Sequence, residues 1–159
     1  MNRPGTVTIV LLCAAAAVRA QAQTQTRSAP RELSHLLVNA HIELPVAGWC
    51  RADFERNRRS GFAVAVLDSA RGGRFVAMLA DGTPHVLGSF EGAADLSCYT
   101  LSAARKLNST LQRSDTIQGS VAPLWPTTVV CGFVEPTTAA CWQYSPAAHQ
   151  FVKVGEWTT

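Results

Sequence analysis

Cys131 and Cys141 each stand three residues from the Glu135-Pro136-Thr137 connection between two strand-like runs, Thr127–Val134 and Thr138–Tyr144. Runs of β-branched, aromatic and apolar residues joined by a three-residue loop form a hairpin. In that register the two cysteines face each other across the ladder, and facing Cβ atoms come close enough for a disulfide. The spacing therefore predicts a covalently closed hairpin, and it leaves Cys50 and Cys98 to pair with one another. No C-x₂₋₄-C pair and no redox C-x-x-C occurs, so structural disulfides are the expected use of these four thiols.

Cys13 lies in a different setting. Arg3 precedes thirteen uncharged residues, Thr6 to Val18, and Arg19-Ala20-Gln21-Ala22 then places small residues at A-x-A spacing. That is the layout of a secretory signal peptide, and it is shorter than the roughly 20 apolar residues of a membrane-spanning helix. Bulky Leu12 ahead of Cys13 does not suit a lipidation site. The expected organisation is a signal peptide over 1–22, a flexible polar leader over 23–28 and one domain over 29–159. An Ala-rich signal points to bacterial export, to the periplasm or beyond the cell, where disulfides persist.

Cleavage changes the charge argument. The full chain has 14 basic and 11 acidic residues. Loss of Arg3 and Arg19 leaves 12 against 11, so the net charge is +1 and gives no reason to expect a nucleic-acid partner. The remaining length suits one domain with its own core.

The rest of the chain reads as strands with one long helix. Leu33, Leu36, Leu37 and Ala40 recur at helical spacing over Ala29–Ala40, and His41–Val46 is extended because Pro45 restricts its predecessor. Arg51–Arg59 reads as a charged turn or short helix. Phe62–Asp68, Arg74–Ala80 and His85–Glu91 form one up-down-up meander around the turns Ser69–Gly73 and Asp81–Pro84. Thr127–Val134, Thr138–Tyr144 and Gln150–Trp157 form a second. Between them, Leu96, Thr100, Ala103, Leu107 and Leu111 make an apolar stripe that predicts a helix over Ala93–Gln112. Both faces of Phe62–Leu67 are apolar, so that strand is expected to be covered on two sides. The predicted class is α+β with strands predominant: two three-stranded antiparallel meanders, in one sheet or a small sandwich, with one main helix and two disulfides.

Catalytic signatures are absent from the sequence: there is no G-x-G-x-x-G, H-E-x-x-H or G-x-S-x-G. No cofactor and no metal is expected. His35 and His41 straddle a helix–strand break, whereas His85 and His149 each open the third strand of a meander and would approach if the meanders packed alike. Arg51, Arg56, Arg58 and Arg59 surround Asp53 and Glu55, either as a self-neutralised surface or as a patch for phosphate or lipopolysaccharide. Trp125, Trp142, Tyr144, Phe151 and Trp157 crowd the last 35 residues, and in the C-terminal meander Tyr144 would oppose Phe151 and Trp142 would oppose Lys153 in a cation–π contact. Trp142, Tyr144, Lys153 and Trp157 are thus the candidate binding residues. The leading expectation is an exported binding, inhibitor or accessory module with an envelope or secreted protein as partner. The alternative is a small hydrolase, or a glycan- or lipid-binding protein, using His85 or His149 with Asp81 or Glu91.

Overall fold

A computed structural model describes residues 29–43, 45–134 and 138–159. The expected signal peptide, the leader and the Glu135-Pro136-Thr137 loop lie outside the described residues. In chain order the elements are α1 (Arg31–Asn39), β1 (Val46–Ala52), β2 (Gly61–Ser69), β3 (Gly72–Met78), β4 (Pro84–Glu91) and β5 (Ala94–Tyr99). Then follow α2 (Leu101–Leu111), β6 (Gln118–Val121), β7 (Val129–Val134), β8 (Thr138–Ser145) and β9 (Gln150–Thr158). One sheet runs β1-β2-β3-β4 and the other β5-β7-β8-β9-β6. Every strand pairing is antiparallel.

Alternation along the strands sorts the buried side chains into three layers. Ala63, Ala65, Phe75, Ala77 and Phe90 of the first sheet meet Leu96, Val130, Trp142 and Tyr144 of the second in the central core. The opposite faces carry Phe62, Val64, Val66, Val76 and Met78 under Leu33 and Leu37 of α1. On the far side, Val129, Cys131, Cys141 and Val154 lie with Ala104 and Leu111 of α2. The order is α1, sheet, sheet, α2. Two-sided cover explains the apolar run of β2, whose outer face lies under α1. Each large apolar side chain so buried contributes roughly 1.5–3 kcal/mol.

Two glycines let aromatic rings cross between the sheets. A Cβ on Gly132 would lie 2.6 Å from the Phe75 ring, and one on Gly88 would lie 3.1 Å from the Trp142 indole. The ring centroids of Phe75 and Trp142 are 5.8 Å apart, and those of Phe75 and Phe90 are 4.7 Å apart. The core therefore depends on backbone without side chains at two facing sites.

The β-rich α+β class matches the sequence expectation, and β2-β3-β4 and β7-β8-β9 are the two meanders. Each sheet also gains edge strands. β1 replaces the expected turn over the first part of Arg51–Arg59, and β6 adds a strand where none was expected. The larger correction concerns Ala93–Gln112, whose first third is β5 and not helix. Ala94, Leu96 and Cys98 alternate toward the central core while β5 pairs with β7. Thr100 then begins α2, its hydroxyl accepting the Ala103 N–H at 3.3 Å. Strand pairing and the Cys98 disulfide override a stripe that suits a helix equally well, since Leu96 and Thr100 satisfy both periods.

Candidate functional site

Both expected disulfides are present. Cys131 faces Cys141 in the β7–β8 register with Cα atoms 4.1 Å apart, and Cys50–Cys98 joins β1 to β5 with Cα atoms 5.8 Å apart. The second bond ties together edge strands of different sheets, so it holds the two layers to each other.

The C-terminal aromatics pair as the hairpin register predicts, Tyr144 with Phe151 and Trp142 with Lys153. Their surroundings differ from those of a contact face. Trp142, Tyr144 and Trp157 are 7%, 3% and 7% exposed, and they fill the two cores beside β8. The Lys153 ammonium pairs with Glu156, and not with the Trp142 indole. Arg51 makes a cation–π contact instead, its guanidinium carbon 5.6 Å from the Phe62 ring centre, while it also pairs with Glu32 at 3.2 Å.

Between the two buried aromatics of β8 sits a residue that sequence reasoning passed over. Gln143 is 0% exposed. Its Oε1 accepts the N–H groups of Leu124 at 2.9 Å and Trp125 at 3.1 Å. Its Nε2 donates to the carbonyls of Trp125 at 2.6 Å and Thr127 at 3.0 Å. One amide thus satisfies four backbone groups of the loop between β6 and β7, Ala122-Pro123-Leu124-Trp125-Pro126-Thr127-Thr128. The backbone is held from below while Leu124 stays 62% exposed and Trp125 is half-buried. A signal did exist: a lone amide inside an apolar strand must find partners when buried.

The turns after β3 and β8 and the loop after β1 meet at one end of the sandwich. Phe54 packs on Phe151 with centroids 5.3 Å apart, and His85 lies 5.6 Å from Phe151 and 6.1 Å from Tyr144. The Tyr144 hydroxyl is 3.5 Å from His149 Nδ1. His85 and His149 therefore flank one phenol, with Asp81 in the adjoining turn. Glu91, at the opposite end of β4, is about 20 Å along the strand from His85. His85 Nε2 is buried without a hydrogen-bond partner. Among the described residues no carboxylate hydrogen-bonds either imidazole, so the orienting acid of a nucleophilic triad is missing from this arrangement. No group of three or more His, Cys, Asp or Glu side chains among them is placed to hold a metal ion.

Electrostatics here runs in two directions. Burial pushes the Tyr144 hydroxyl above the usual phenol value, and the nearby carboxylates of Glu55 and Asp81 add to the shift. Burial likewise raises Tyr99, with Asp95 adding and a Ser97 hydrogen bond opposing. The Asp81 carboxyl is held below its usual value, chiefly by the Thr83 N–H at 2.8 Å. For a phenol raised in the folded state, the unfolded chain ionises first as pH climbs. Stability is then complete below about pH 10 and is lost as pH rises through the folded-state value. Denaturant titrations across this range are expected to show a smaller alkaline loss for Tyr99→Phe/Tyr144→Phe than for the native protein. Equal slopes would show that neither phenol carries the effect.

Fold and site together define a β-rich α+β protein with two disulfides and a surface loop braced from the core, a type suited to oxidising compartments. No helix among the described residues is long and apolar enough to cross a membrane. Against protein families, curated proteins and solved structures, the chain shows no match.

Proposed function

We propose that this is an exported binding module, of inhibitor or accessory type, which docks a second envelope or secreted protein through the loop Ala122–Thr128. The observation that carries the reading is the Gln143 brace beneath an exposed Leu124. A loop ordered before binding loses little conformational freedom on binding, so its contacts convert more fully into affinity. Pro123 and Pro126 bracket the two apolar residues and restrict the backbone further. Leucine and tryptophan on such a loop suit an apolar pocket on the partner, with Trp125 as the larger anchor. We place the contact here, and not on Trp142, Tyr144 and Trp157, because those rings are buried. The disulfides and the expected signal peptide support periplasmic or extracellular export.

The test compares oxidised native protein with Leu124→Asp as bait in envelope and culture extracts, followed by affinity measurement on whichever protein the native bait retains. The variant is expected to lose at least about 30-fold in affinity, the effect of removing a hot-spot side chain. Its unfolding free energy should stay within about 0.5 kcal/mol, as for other exposed positions. Equal retention by both baits would remove the loop from the interaction.

A further inference from the structure

The loop between β1 and β2, Asp53–Ser60, holds a strained backbone with its acids turned to internal use. The Asp53 carboxylate accepts the N–H groups of Asn57 at 3.2 Å and Arg58 at 2.8 Å. The Asn57 amide donates to Glu55 at 3.1 Å, and its oxygen accepts the Arg59 N–H at 2.9 Å. Phe54 is buried against Phe151 and anchors the loop to the central core. Both carboxylates of the loop are thereby engaged within it. Arg56, Arg58 and Arg59 are exposed, and among the described residues the Arg56 and Arg58 guanidinium groups have no ion-pair or hydrogen-bond partner. Arg59 donates to the Ala80 carbonyl at 3.4 Å and lies within electrostatic reach of the Asp81 carboxylate, so Arg56 and Arg58 are the two guanidinium groups left open.

The backbone adds an independent observation. Arg56 and Arg58 adopt φ of 58° and 64°, the left-handed region that residues with a Cβ enter at a cost. Glycine would fit at either position without that cost, yet both carry arginine. Strain held in place by surrounding bonds is characteristic of sites that position groups for a ligand.

We infer that Arg56, Arg58 and Arg59 form a binding site for phosphate groups, a site separate from the Leu124 loop. A planar guanidinium presents paired N–H donors that match two oxygens of a phosphate, which favours this group over a simple negative surface. The phosphate arrives on a lipid headgroup or on a soluble phosphorylated compound, and the chemistry is shared.

The oxidised protein is titrated with inorganic pyrophosphate, with vesicles of phosphatidylcholine and phosphatidic acid in equal parts, and with vesicles in which oleic acid replaces the phosphatidic acid. Binding of pyrophosphate or of the phosphatidic acid vesicles is expected, with no comparable binding to the oleic acid vesicles. Arg56→Gln/Arg58→Gln should weaken it about 25-fold, roughly fivefold for each arginine. Pyrophosphate binding alone assigns a soluble ligand; vesicle binding that pyrophosphate displaces assigns a headgroup. In parallel, Arg56→Gly/Arg58→Gly should raise the melting temperature while binding falls, which a merely structural loop would not do. The inference is overturned if the native protein binds neither probe, if the glutamine variant binds as well as the native protein, or if oleic acid vesicles bind equally.

Discussion

Replacing Gln143 with methionine lowers the stability of the folded protein by about 3–5 kcal/mol. The substitution keeps the length of the side chain and removes both its donors and its acceptor. It leaves the N–H groups of Leu124 and Trp125 and the carbonyls of Trp125 and Thr127 without their partner. A buried backbone group without a hydrogen bond costs roughly 1–3 kcal/mol, and relaxation of the loop keeps the four from adding fully. The loss is large beside a total stability of about 5–15 kcal/mol. Urea denaturation is the measurement: the midpoint should fall while the slope stays constant, since the surface exposed on unfolding is unchanged. A loss below about 1 kcal/mol would mean that water readily replaces the amide, and the case for a braced binding loop would lose its basis.

Removing the Cys50–Cys98 bond by double substitution with alanine costs about 4 kcal/mol, against about 3 kcal/mol for Cys131–Cys141. The difference follows from chain separation, 48 residues in the first case and 10 in the second. The longer loop excludes more unfolded conformations when closed. The long-range bond also joins β1 and β5, edge strands of different sheets, whereas the local bond joins neighbours already paired by a full ladder. Thermal and denaturant unfolding of the two double variants gives the comparison. A larger loss for the local pair would show that native-state packing around Cys131 and Cys141, both fully buried, outweighs the entropy of the unfolded chain.

Much of the fold can be read from local chemistry. The β7–β8 register follows from a three-residue loop and two cysteines, and both meanders follow from turn residues between alternating runs. The same register places Trp142 opposite Lys153 correctly, but it could not say that the indole points into a core while the ammonium turns to Glu156. Pairing is a property of two neighbouring strands. Burial is a property of what lies above them, and here that is a second sheet, with β8 beginning at residue 138 and β2 at residue 61.

The candidate sites show the same division. Gln143 is an unremarked amide until loop residues 16–19 positions earlier in the chain fold over it. The arginines of residues 51–59 are evident in the sequence, whereas the internal engagement of Asp53 and Glu55, and the left-handed backbone at Arg56 and Arg58, exist only once Phe54 is anchored on Phe151. His85 and His149 each lie against Tyr144, and among the described residues neither has an orienting carboxylate.

By itself, the sequence determined the β-rich α+β class, the two meanders and the disulfide partners, because each rests on interactions between near neighbours, on elimination among four cysteines or on composition. Tertiary structure alone decided that Ala94–Tyr99 is a strand, that β1 and β6 complete the sheets, and which polar groups are held and which are left facing outward. These choices depend on contacts between distant segments, whose free energy exceeds the small local preferences that a periodic pattern records.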